Sequence, residues 1–504
     1  MSTGLWILAG VGALLGLVVI HDLLQRKHAI LRNFPIVGHF RFILESVGPE
    51  LRQYIVTGND EERPFSRDER RWVYASAKKQ NNYFGFGTDN DLELEPHHII
   101  IKHAAFPARA PSGAPDYRVP CTKILGGPRG RAKAFRMDSV VNVSAMSFGS
   151  LSARAIEAIN RGVALAGCLH NTGEGGVSPY HQNGGDLIWQ VGTGYFGCRD
   201  ARGNFSMELL EETVARTKVR AIEIKLSQGA KPGMGGLLPA AKITREISGI
   251  RGIPMGEDCH SPAYHTAFSD PDSLLDFVES IAQRTGLPVG IKSAVGEIEF
   301  WRELGRLMAT TDRGVDYIQV DGGEGGTGAA PLVFSDHVAL PFKIAFTRVY
   351  RELAEHGMTD DVVFIGSGKL GFPEAAVLAF ALGCDAIAVA REAMLSIGCI
   401  QAQRCHTGRC PTGVATQGDW LMHGLDPTDK AARLANYVKA LRKELIELSH
   451  ACGVLHPALI TADRLEVIDD RFSGRSLADV FAYPAGIGQL TAARRAEIEQ
   501  LMRD

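Results

Sequence analysis

The sequence predicts a (β/α)8 barrel preceded by an N-terminal transmembrane helix and a helical, partly irregular extension. Two observations predict the barrel. Short β-branched runs alternate with helical or glycine-rich stretches, as in a parallel sheet covered by helices: SVVNVSAMS, AIEIKLS, LPVGIKSA, DYIQVDGG, DVVFIGSG and DAIAVARE. Serine, lysine, aspartate and glycine residues stand where these runs end, and barrels carry their active sites at the carboxyl ends of the strands. A doubly wound sheet is the alternative, but no GxGxxG follows the first run.

The first 24 residues are predicted to form a membrane anchor. LWILAGVGALLGLVVI (residues 5–20) contains no charge and, with the residues before it, approaches the ~17–25 residues that cross a bilayer as a helix. A signal peptide is one alternative, but the positive n-region and the small-residue cleavage site are missing. A buried helix of a soluble protein is the other. Arg26, Lys27, Arg32 and Arg41 follow the run, so we expect a single-pass protein whose remaining chain is cytoplasmic.

Composition limits the remaining possibilities. The net charge is −3, which does not indicate a nucleic-acid partner. Nine cysteines with uneven spacing do not suit a secreted disulfide framework. No internal repeat is visible. We therefore expect four regions: an anchor at residues 1–24, a juxtamembrane extension at 25–95, the barrel at 96–453 and a C-terminal tail at 454–504.

Three runs close the second half of the predicted barrel, and the first two are rich in glycine: residues 321–331 (DGGEGGTGAAP), 366–371 (GSGKLG) and 388–394 (AVAREAM). Glycine lets backbone N–H groups approach a phosphate closely, and the loops after the last two barrel strands are a frequent phosphate site. Tight turns would explain one such run, but three on one face of a barrel indicate a phosphate-bearing ligand. Lys292, which ends the strand VGIKS, is predicted to point into the same mouth, with surface solvation as the alternative.

Three of the nine cysteines lie within the stretch GCIQAQRCHTGRCPTGVATQ, residues 398–417. Grouped thiols in a reducing compartment hold metal more often than they form disulfides. An iron–sulfur cluster on three thiolates is the leading interpretation. Zinc with His406 as a fourth ligand is the metal alternative, and three unrelated buried thiols are the structural one.

Five ordered motifs carry a family resemblance. SAMSFGSLS, NTGEGG, KLSQGAKPGMGG, GGEGGTGAAP and the cysteine-rich stretch resemble the FMN-binding synthase domain of glutamate synthases across residues 96–453. The resemblance implies FMN in the barrel, a 3Fe–4S cluster, and reductive amination of 2-oxoglutarate through 2-iminoglutarate. It implies Cys399, Cys405 and Cys410 as cluster ligands. The FMN-binding residues that it implies are Ser144, Ala145, Met146, Ser147, Lys292, Gly325, Gly326, Thr327, Gly328, Gly366, Ser367, Gly368, Ala390 and Arg391.

The same resemblance implies a substrate pocket lined by Glu174, Lys225, Gln228, Lys231 and Arg251. Lysine and arginine suit a dicarboxylate substrate, because a guanidinium holds a carboxylate in a two-point fork. An imine also needs a proton donor while it accepts hydride. We expect Lys231 or Glu174 to play this catalytic part.

Two departures from the family pattern bear on the substrate. The family typically reads GAKPGEGGQLP, whereas this chain places Met234 and Leu237 at the glutamate and glutamine positions. Another 2-oxo acid or imine is therefore an alternative to 2-oxoglutarate. We expect no glutaminase domain, so ammonia would come from solution or a partner, or would not be used. The electron donor is expected to be a ferredoxin or a reductase subunit.

These features favour a membrane-anchored flavin and iron–sulfur oxidoreductase that reduces an imine of a 2-oxo acid to an amino acid. A substituted-glutamate synthase, which joins an amine to an amino acid, is one alternative. An electron-transfer subunit of a membrane complex is another, but a relay needs no carboxylate pocket. An α-hydroxy-acid oxidase lacks support, because we find no matching His/Arg base arrangement.

Overall fold

Eight parallel strands form a closed barrel in the structure, a computed structural model that describes residues 3–54, 60–92, 95, 97–109, 117–469, 473–488 and 490–503. Each strand pairs with its neighbours in chain order, and the eighth pairs with the first. The predicted fold is confirmed. In order, the strands are Val141–Val143, His170–Asn171, Leu187–Val191, Val219–Lys225, Val289–Ser293, Tyr317–Asp321, Val363–Ser367 and Ala386–Val389.

The predicted apolar runs correspond to six of these strands. Their side chains are buried almost throughout, because the barrel interior and the surrounding helices cover both faces of the sheet. The second and third strands were not predicted. His170–Asn171 is too short to show a pattern, and the third, Leu187–Val191, carries a polar glutamine among its apolar residues.

Helices cover the outside of the barrel. Ser152 caps the first of them by accepting from Ala155 N at 3.1 Å, and Gly167 ends it at a φ of +66°. The second strand is followed only by a 3₁₀ turn, Pro179–His181. The other helices after the strands are Met207–Ala215, Pro271–Thr285, Glu299–Thr310, Leu332–His337, Phe342–Glu355, Pro373–Ala381, Arg391–Ser396, Asp419–His423 and Pro427–Ala451.

The longest helix closes the ring. Pro427–Ala451 packs against Ala153–Ala166, where Gly162 leaves room for Leu434: a Cβ at Gly162 would come within 2.8 Å of the Leu434 side chain. This helix follows the cysteine-rich stretch and thus joins the end of the barrel to its beginning.

An insertion separates the fourth strand from its helix. It contains the antiparallel pair Leu237–Leu238 and Cys259–His260, the 3₁₀ turn Ala240–Lys242 and the helix Arg245–Arg251. Because the insertion follows the carboxyl end of a strand, it lies on the face of the barrel where an active site is expected.

The N-terminal region begins with the helix Thr3–Leu24, which is long and apolar enough to cross a membrane. A signal sequence passes the same test. None of its most apolar 18-residue window is buried, so the helix does not resemble a core helix of a soluble protein. The helices Ala29–Asn33, Val37–Tyr54 and Arg67–Ala77 follow it.

This extension packs on the cysteine-rich stretch. Asn33 Nδ2 donates to the carbonyl oxygens of Pro411 and Leu421 at 3.1 and 2.9 Å. Tyr74 Oη donates to Cys399 O at 2.8 Å. The predicted juxtamembrane segment is therefore attached to the same loop that carries the three grouped cysteines.

A small antiparallel sheet joins the segment before the barrel to the segment after it. Ile99–Ile101 pairs with Leu465–Ile468, which pairs in turn with Gly474–Ser476. Of the predicted region boundaries, Met1, Pro96 and Asp504 lie outside the described residues. The smaller elements are the strands Ile124–Leu125 and Phe135–Arg136, the helices Leu477–Val480 and Ala492–Leu501, and the 3₁₀ turns Cys405–Thr407, Pro457–Leu459 and Ala462–Arg464.

Candidate active site

The predicted substrate residues come together at the mouth of the barrel. Lys225, at the end of the fourth strand, places its Nζ 2.7 Å from Glu174 Oε1 and donates to Gln228 Oε1 at 2.7 Å. Lys231 is buried, and its Nζ donates to the carbonyl oxygen of Gly235 at 3.1 Å. The loop after the second strand and the loop after the fourth strand, which includes the insertion, thus contribute to one charged cluster.

The charges in this cluster fix the protonation of Glu174. Burial acts to raise the pKa of its carboxyl group, but the charges of Lys225, Lys231 and Arg251 outweigh burial and lower the pKa to about 2. Burial lowers the pKa of Lys231, with a further decrease from Lys225, although Glu174 opposes the shift. At neutral pH Glu174 is ionised, and Lys231 gives up a proton more readily than an ordinary lysine.

The guanidinium of Arg251 is only partly hydrogen-bonded within the described residues. Its Nη2 donates to Phe148 O at 3.0 Å and approaches Ser147 Oγ at 3.5 Å. Its Nε is buried and has no hydrogen-bond partner among the described residues. A Cβ at Gly175 would come within 2.7 Å of Nη2, so any other residue there would clash with the guanidinium in this position. A buried donor without a partner is costly, which indicates a site for an anion.

A row of polar side chains crosses the barrel interior below the mouth. Gln319 Nε2 donates to Ser144 Oγ at 3.4 Å and to Ser367 Oγ at 3.2 Å. Ser367 Oγ donates to Asp321 Oδ1 at 2.6 Å, and Lys292 Nζ lies 3.6 Å from Asp321 Oδ2. Three residues predicted to contact FMN, on the first, fifth and seventh strands, therefore converge.

The glycine runs form a close-fitting cradle beside this row. A Cβ at Gly326 would come within 2.6 Å of the Arg391 side chain, and Gly368 has a φ of +130° that other residues rarely adopt. Arg391 Nη2 donates to the carbonyl oxygen of Glu324. The remaining predicted FMN positions lie on the same strand ends and loops: Ala145, Met146, Gly325, Thr327, Gly328, Gly366 and Ala390.

Sequence reasoning missed a buried carboxylate in the barrel core. Glu223, in the fourth strand, accepts at Oε1 from Asn171 Nδ2 at 2.8 Å and from Gln190 Nε2 at 2.6 Å. Its Oε2 is buried without a partner among the described residues. Burial raises the pKa of Glu223, although Lys292 opposes the shift. A glutamate between the isoleucines of AIEIK was the signal that could have found it.

The three grouped cysteines are neighbours in space. Burial raises the pKa of Cys399 to about 12, and the nearby Cys410 and Cys405 add to the increase. Burial and Cys410 also raise the pKa of Cys405, which Lys242 opposes. Within the described parts of the chain, no three His, Cys, Asp or Glu side chains stand in a metal-ligating arrangement. The thiols are therefore close to one another without forming a finished metal site.

The two departures from the family pattern lie in the insertion. A Cβ at Gly236 would come within 3.4 Å of Glu174 Oε1, so this backbone faces the charged cluster. Leu237 follows in the strand Leu237–Leu238, where successive side chains point to opposite faces. Its side chain is 37% exposed, and that of Met234 is 38% exposed. Both side chains are therefore more than a third exposed, close in sequence to the backbone that faces Glu174.

Comparison with known proteins identifies the family. A family model described as a conserved region in glutamate synthase matches residues 125–455. The chain belongs to the glutamate synthase family. The predicted resemblance to the FMN-binding synthase domain of glutamate synthases is therefore confirmed, and membership of this family supports FMN as the cofactor.

Two curated members of the glutamate synthase family illustrate the similarity. The glutamate synthase large subunit-like protein YerD of Bacillus subtilis is 37% identical over 474 residues, which cover 87% of this chain and 90% of that protein. The archaeal glutamate synthase [NADPH] of Methanocaldococcus jannaschii is 37% identical over 327 residues. That match covers 64% of this chain and 61% of the archaeal protein, so the chain corresponds to less than two thirds of the archaeal enzyme.

Solved structures give a more distant likeness. A mandelate oxidase mutant with benzaldehyde aligns with a TM-score of 0.41 at 15% identity, over 76% of this chain and 86% of that chain. A flavocytochrome b2 mutant with benzoylformate aligns with a TM-score of 0.45 at 13% identity, over 90% of this chain and 96% of that chain. The assignment to the glutamate synthase family does not depend on them.

Proposed function

We propose that the protein is an FMN and iron–sulfur oxidoreductase that reduces an imine, formed from a 2-oxo acid, to an amino acid. The observation that carries the proposal is the cluster at the barrel mouth. There Lys225, Lys231 and Arg251 surround the single carboxylate of Glu174, next to Ser147. This arrangement suits a small anion with two oxygen-rich ends. An electron relay has no use for such a cluster.

The polar row and the glycine cradle fit FMN. Ser144, Lys292 and Gln319 would contact the flavin ring, and the backbone of the glycine cradle around Gly326 and Gly368 would hold the phosphate beside Arg391. When bound, FMN would supply the hydride that the imine carbon accepts. The protein's own residues must then bind the substrate and supply the accompanying proton.

Each residue of the cluster has a separate task in this proposal. The spare guanidinium N–H of Arg251 binds a substrate carboxylate. Glu174 remains ionised and holds Lys225 in place. Lys231 donates a proton to the imine nitrogen, because burial lowers its pKa and favours release of that proton. Hydride on carbon and a proton on nitrogen together convert the imine to an amine.

We propose that Cys399, Cys405 and Cys410 hold a 3Fe–4S cluster. Three thiolates leave one corner of an iron–sulfur cubane without a protein ligand, which suits a three-iron cluster. A Cβ at Gly328 would come within 3.1 Å of the Cys405 side chain, so the cysteines lie against a glycine run that we assign to FMN. A ferredoxin or a reductase subunit is the proposed electron donor.

Cys405→Ser is expected to remove iron and sulfide while leaving the flavin bound. Cys405 lies on the 3₁₀ turn Cys405–Thr407 and is partly exposed, so its loss leaves the barrel core intact. Metal analysis, sulfide determination and release of FMN on denaturation measure the outcome. Cys259→Ser, also partly exposed but in the insertion, is the matched control and should keep its iron. Zinc without iron in the well-folded wild-type protein would contradict the cluster.

We propose that Thr3–Leu24 anchors the protein in a membrane as a single span, with the barrel in the cytoplasm. Deleting residues 2–20 should release a soluble protein that keeps its flavin, because this segment is not buried against the barrel. The deletion retains Asp22, which bonds to Ile36 N at 3.0 Å and to His39 Nε2 at 2.9 Å. Membrane fractionation gives the result. Recovery of the full-length chain in the soluble fraction without detergent would count against the anchor.

Spectral titration tests the proposed reaction most directly. The full-length protein in detergent is titrated with 2-oxo acids of increasing length, each with and without ammonium, and the flavin absorption is followed. Binding of at least one 2-oxo acid, and its conversion to an amino acid by the reduced enzyme, is expected. If no 2-oxo acid, imine or amino acid changes the flavin spectrum, the electron-transfer alternative is favoured instead.

A further inference from the structure

A basic cavity lies between the N-terminal extension and the barrel. Its volume is about 400 Å³, and eight of its lining residues are lysines or arginines, whereas Glu45 is its only acidic lining residue within the described part of the chain. Most of the walls come from helix Val37–Tyr54, helix Arg67–Ala77 and the start of helix Pro427–Ala451, and residues 27–30 and 395–400 complete them. Such a volume suits a small ligand or the headgroup of a larger one.

The charge in the cavity is only partly neutralised. Arg41 pairs with Glu45 and Arg70 with Glu62. Arg433 and Lys430 share Asp429, at 2.9 and 3.1 Å. Lys78 makes no ion pair with any described residue, and its pKa is lowered by burial and then by Arg433. The pKa of His28 shows the same positive charge. Burial lowers this pKa, and the neighbouring lysines and arginine lower it further, to about 4. The remaining positive charge of the cavity therefore favours binding of an anion.

The helix Val37–Tyr54, which forms one wall of this cavity, has an apolar outer face. Val37, Phe40, Ile43, Leu44 and Val47 recur at helical spacing, and between 43% and 66% of each side chain is exposed. Arg41 and Glu45, on the adjoining face, line the cavity. Five large apolar side chains exposed on one face of a helix mark an interaction surface rather than ordinary surface.

We propose that this apolar face lies in the interface of an anionic membrane and that the basic cavity beneath it holds the phosphate headgroup of an anionic phospholipid. The proposal rests on the membrane anchoring proposed above. Two features select a lipid as the occupant. The helix Thr3–Leu24 ends three residues before Lys27, which lines the cavity, and basic pockets beside membrane helices bind lipid headgroups. A helix that is apolar on one face and charged on the other lies along the membrane surface.

Lipid retention by the full-length protein tests the cavity. The protein is purified in neutral detergent, incubated with phosphatidylglycerol or phosphatidylcholine, and bound lipid is measured by native mass spectrometry. Lys78→Gln is expected to weaken phosphatidylglycerol binding roughly fivefold, and Arg71→Gln with Lys78→Gln roughly thirtyfold. Lys79→Gln is the matched control, because Lys79 carries the same charge and is exposed like Lys78 but does not line the cavity. Melting temperature and flavin content verify folding.

Each other result overturns the proposal. Equal losses in Lys78→Gln and Lys79→Gln would indicate general surface charge, and equal retention of the two lipids would remove the headgroup preference. Binding of soluble glycerol phosphate as tight as that of phosphatidylglycerol would assign the cavity to a free phosphate compound. Fractionation of the same wild-type sample tests the anchor separately, so failure of the cavity and failure of the anchor are distinguishable.

The apolar face has its own test. Leu44→benzoylphenylalanine in phosphatidylglycerol nanodiscs is expected to crosslink to lipid on irradiation. The same photoreactive residue at Leu165, which is 58% exposed near the end of Ala153–Ala166, should not. Crosslinking of position 44 to a second copy of the chain, or to no partner at all, would overturn the membrane assignment of this face.

Discussion

Lys231→Gln is expected to lower kcat for imine reduction by roughly 10²- to 10⁴-fold, the usual contribution of a positioned general acid. Glutamine keeps a polar side chain of similar length, but its amide is far too weak an acid to transfer a proton. Binding of the 2-oxo acid should weaken much less, because Lys225 and Arg251 remain. Steady-state kinetics, together with spectral titration of the flavin, separate the two effects.

The pH dependence tests the role assigned to Lys231. The lysine must be protonated to act, so kcat should fall as pH rises through its pKa, which burial places below the ordinary 10.5. Lys231→Arg keeps the positive charge but holds its proton too tightly, so it should bind substrate and turn over slowly. A variant that retains wild-type kcat would exclude Lys231 as the acid. Glu174 is not a substitute, since its pKa of about 2 leaves it without a proton at neutral pH.

Arg251→Ala is expected to weaken binding of the 2-oxo acid by a factor of roughly 10–150, the value of one charge-assisted hydrogen bond of about 1.5–3 kcal/mol. FMN and iron content should not change, because the polar row and the cysteines lie outside its hydrogen bonds. Spectral titration of the flavin gives the affinity directly.

Two further variants make this result specific. Arg251→Lys should recover part of the affinity through its charge, but not the two-point contact of a guanidinium. Arg245→Ala, at the exposed start of the same helix, is the matched control and should bind as the wild type does. Unchanged affinity in Arg251→Ala would remove the carboxylate site from the proposal.

The sequence predicted the barrel because buried parallel strands are continuous apolar runs. It did not predict His170–Asn171, because a two-residue strand owes its existence to its neighbours and not to its own propensity. For the same reason, the hydrogen-bond donors to Glu223 could not be predicted. Asn171 and Gln190 belong to the two unpredicted strands, so a carboxylate in the core had no visible reason to be there.

The charged cluster shows which parts of a site depend on tertiary structure. The family resemblance singled out Lys225, Lys231 and Arg251. Only the folded insertion shows that Arg251 Nη2 lies near Ser147 and that Arg251 Nε has no hydrogen-bond partner among the described residues. The direction of Leu237 is equally invisible in the sequence, since it depends on the register of the pair Leu237–Leu238 and Cys259–His260. A substitution relative to a family pattern therefore does not by itself locate a change in the pocket.

The pairing of the chain's two ends has a consequence for how the protein is made. The first barrel strand needs the eighth, Ile99–Ile101 needs Leu465–Ile468, and Ala153–Ala166 needs Pro427–Ala451. Synthesis proceeds from the N-terminus, so the barrel cannot close until nearly the whole chain has left the ribosome. The apolar helix Thr3–Leu24 precedes the barrel strands in the chain, so the membrane anchoring proposed above would begin before the barrel acquires a stable shape.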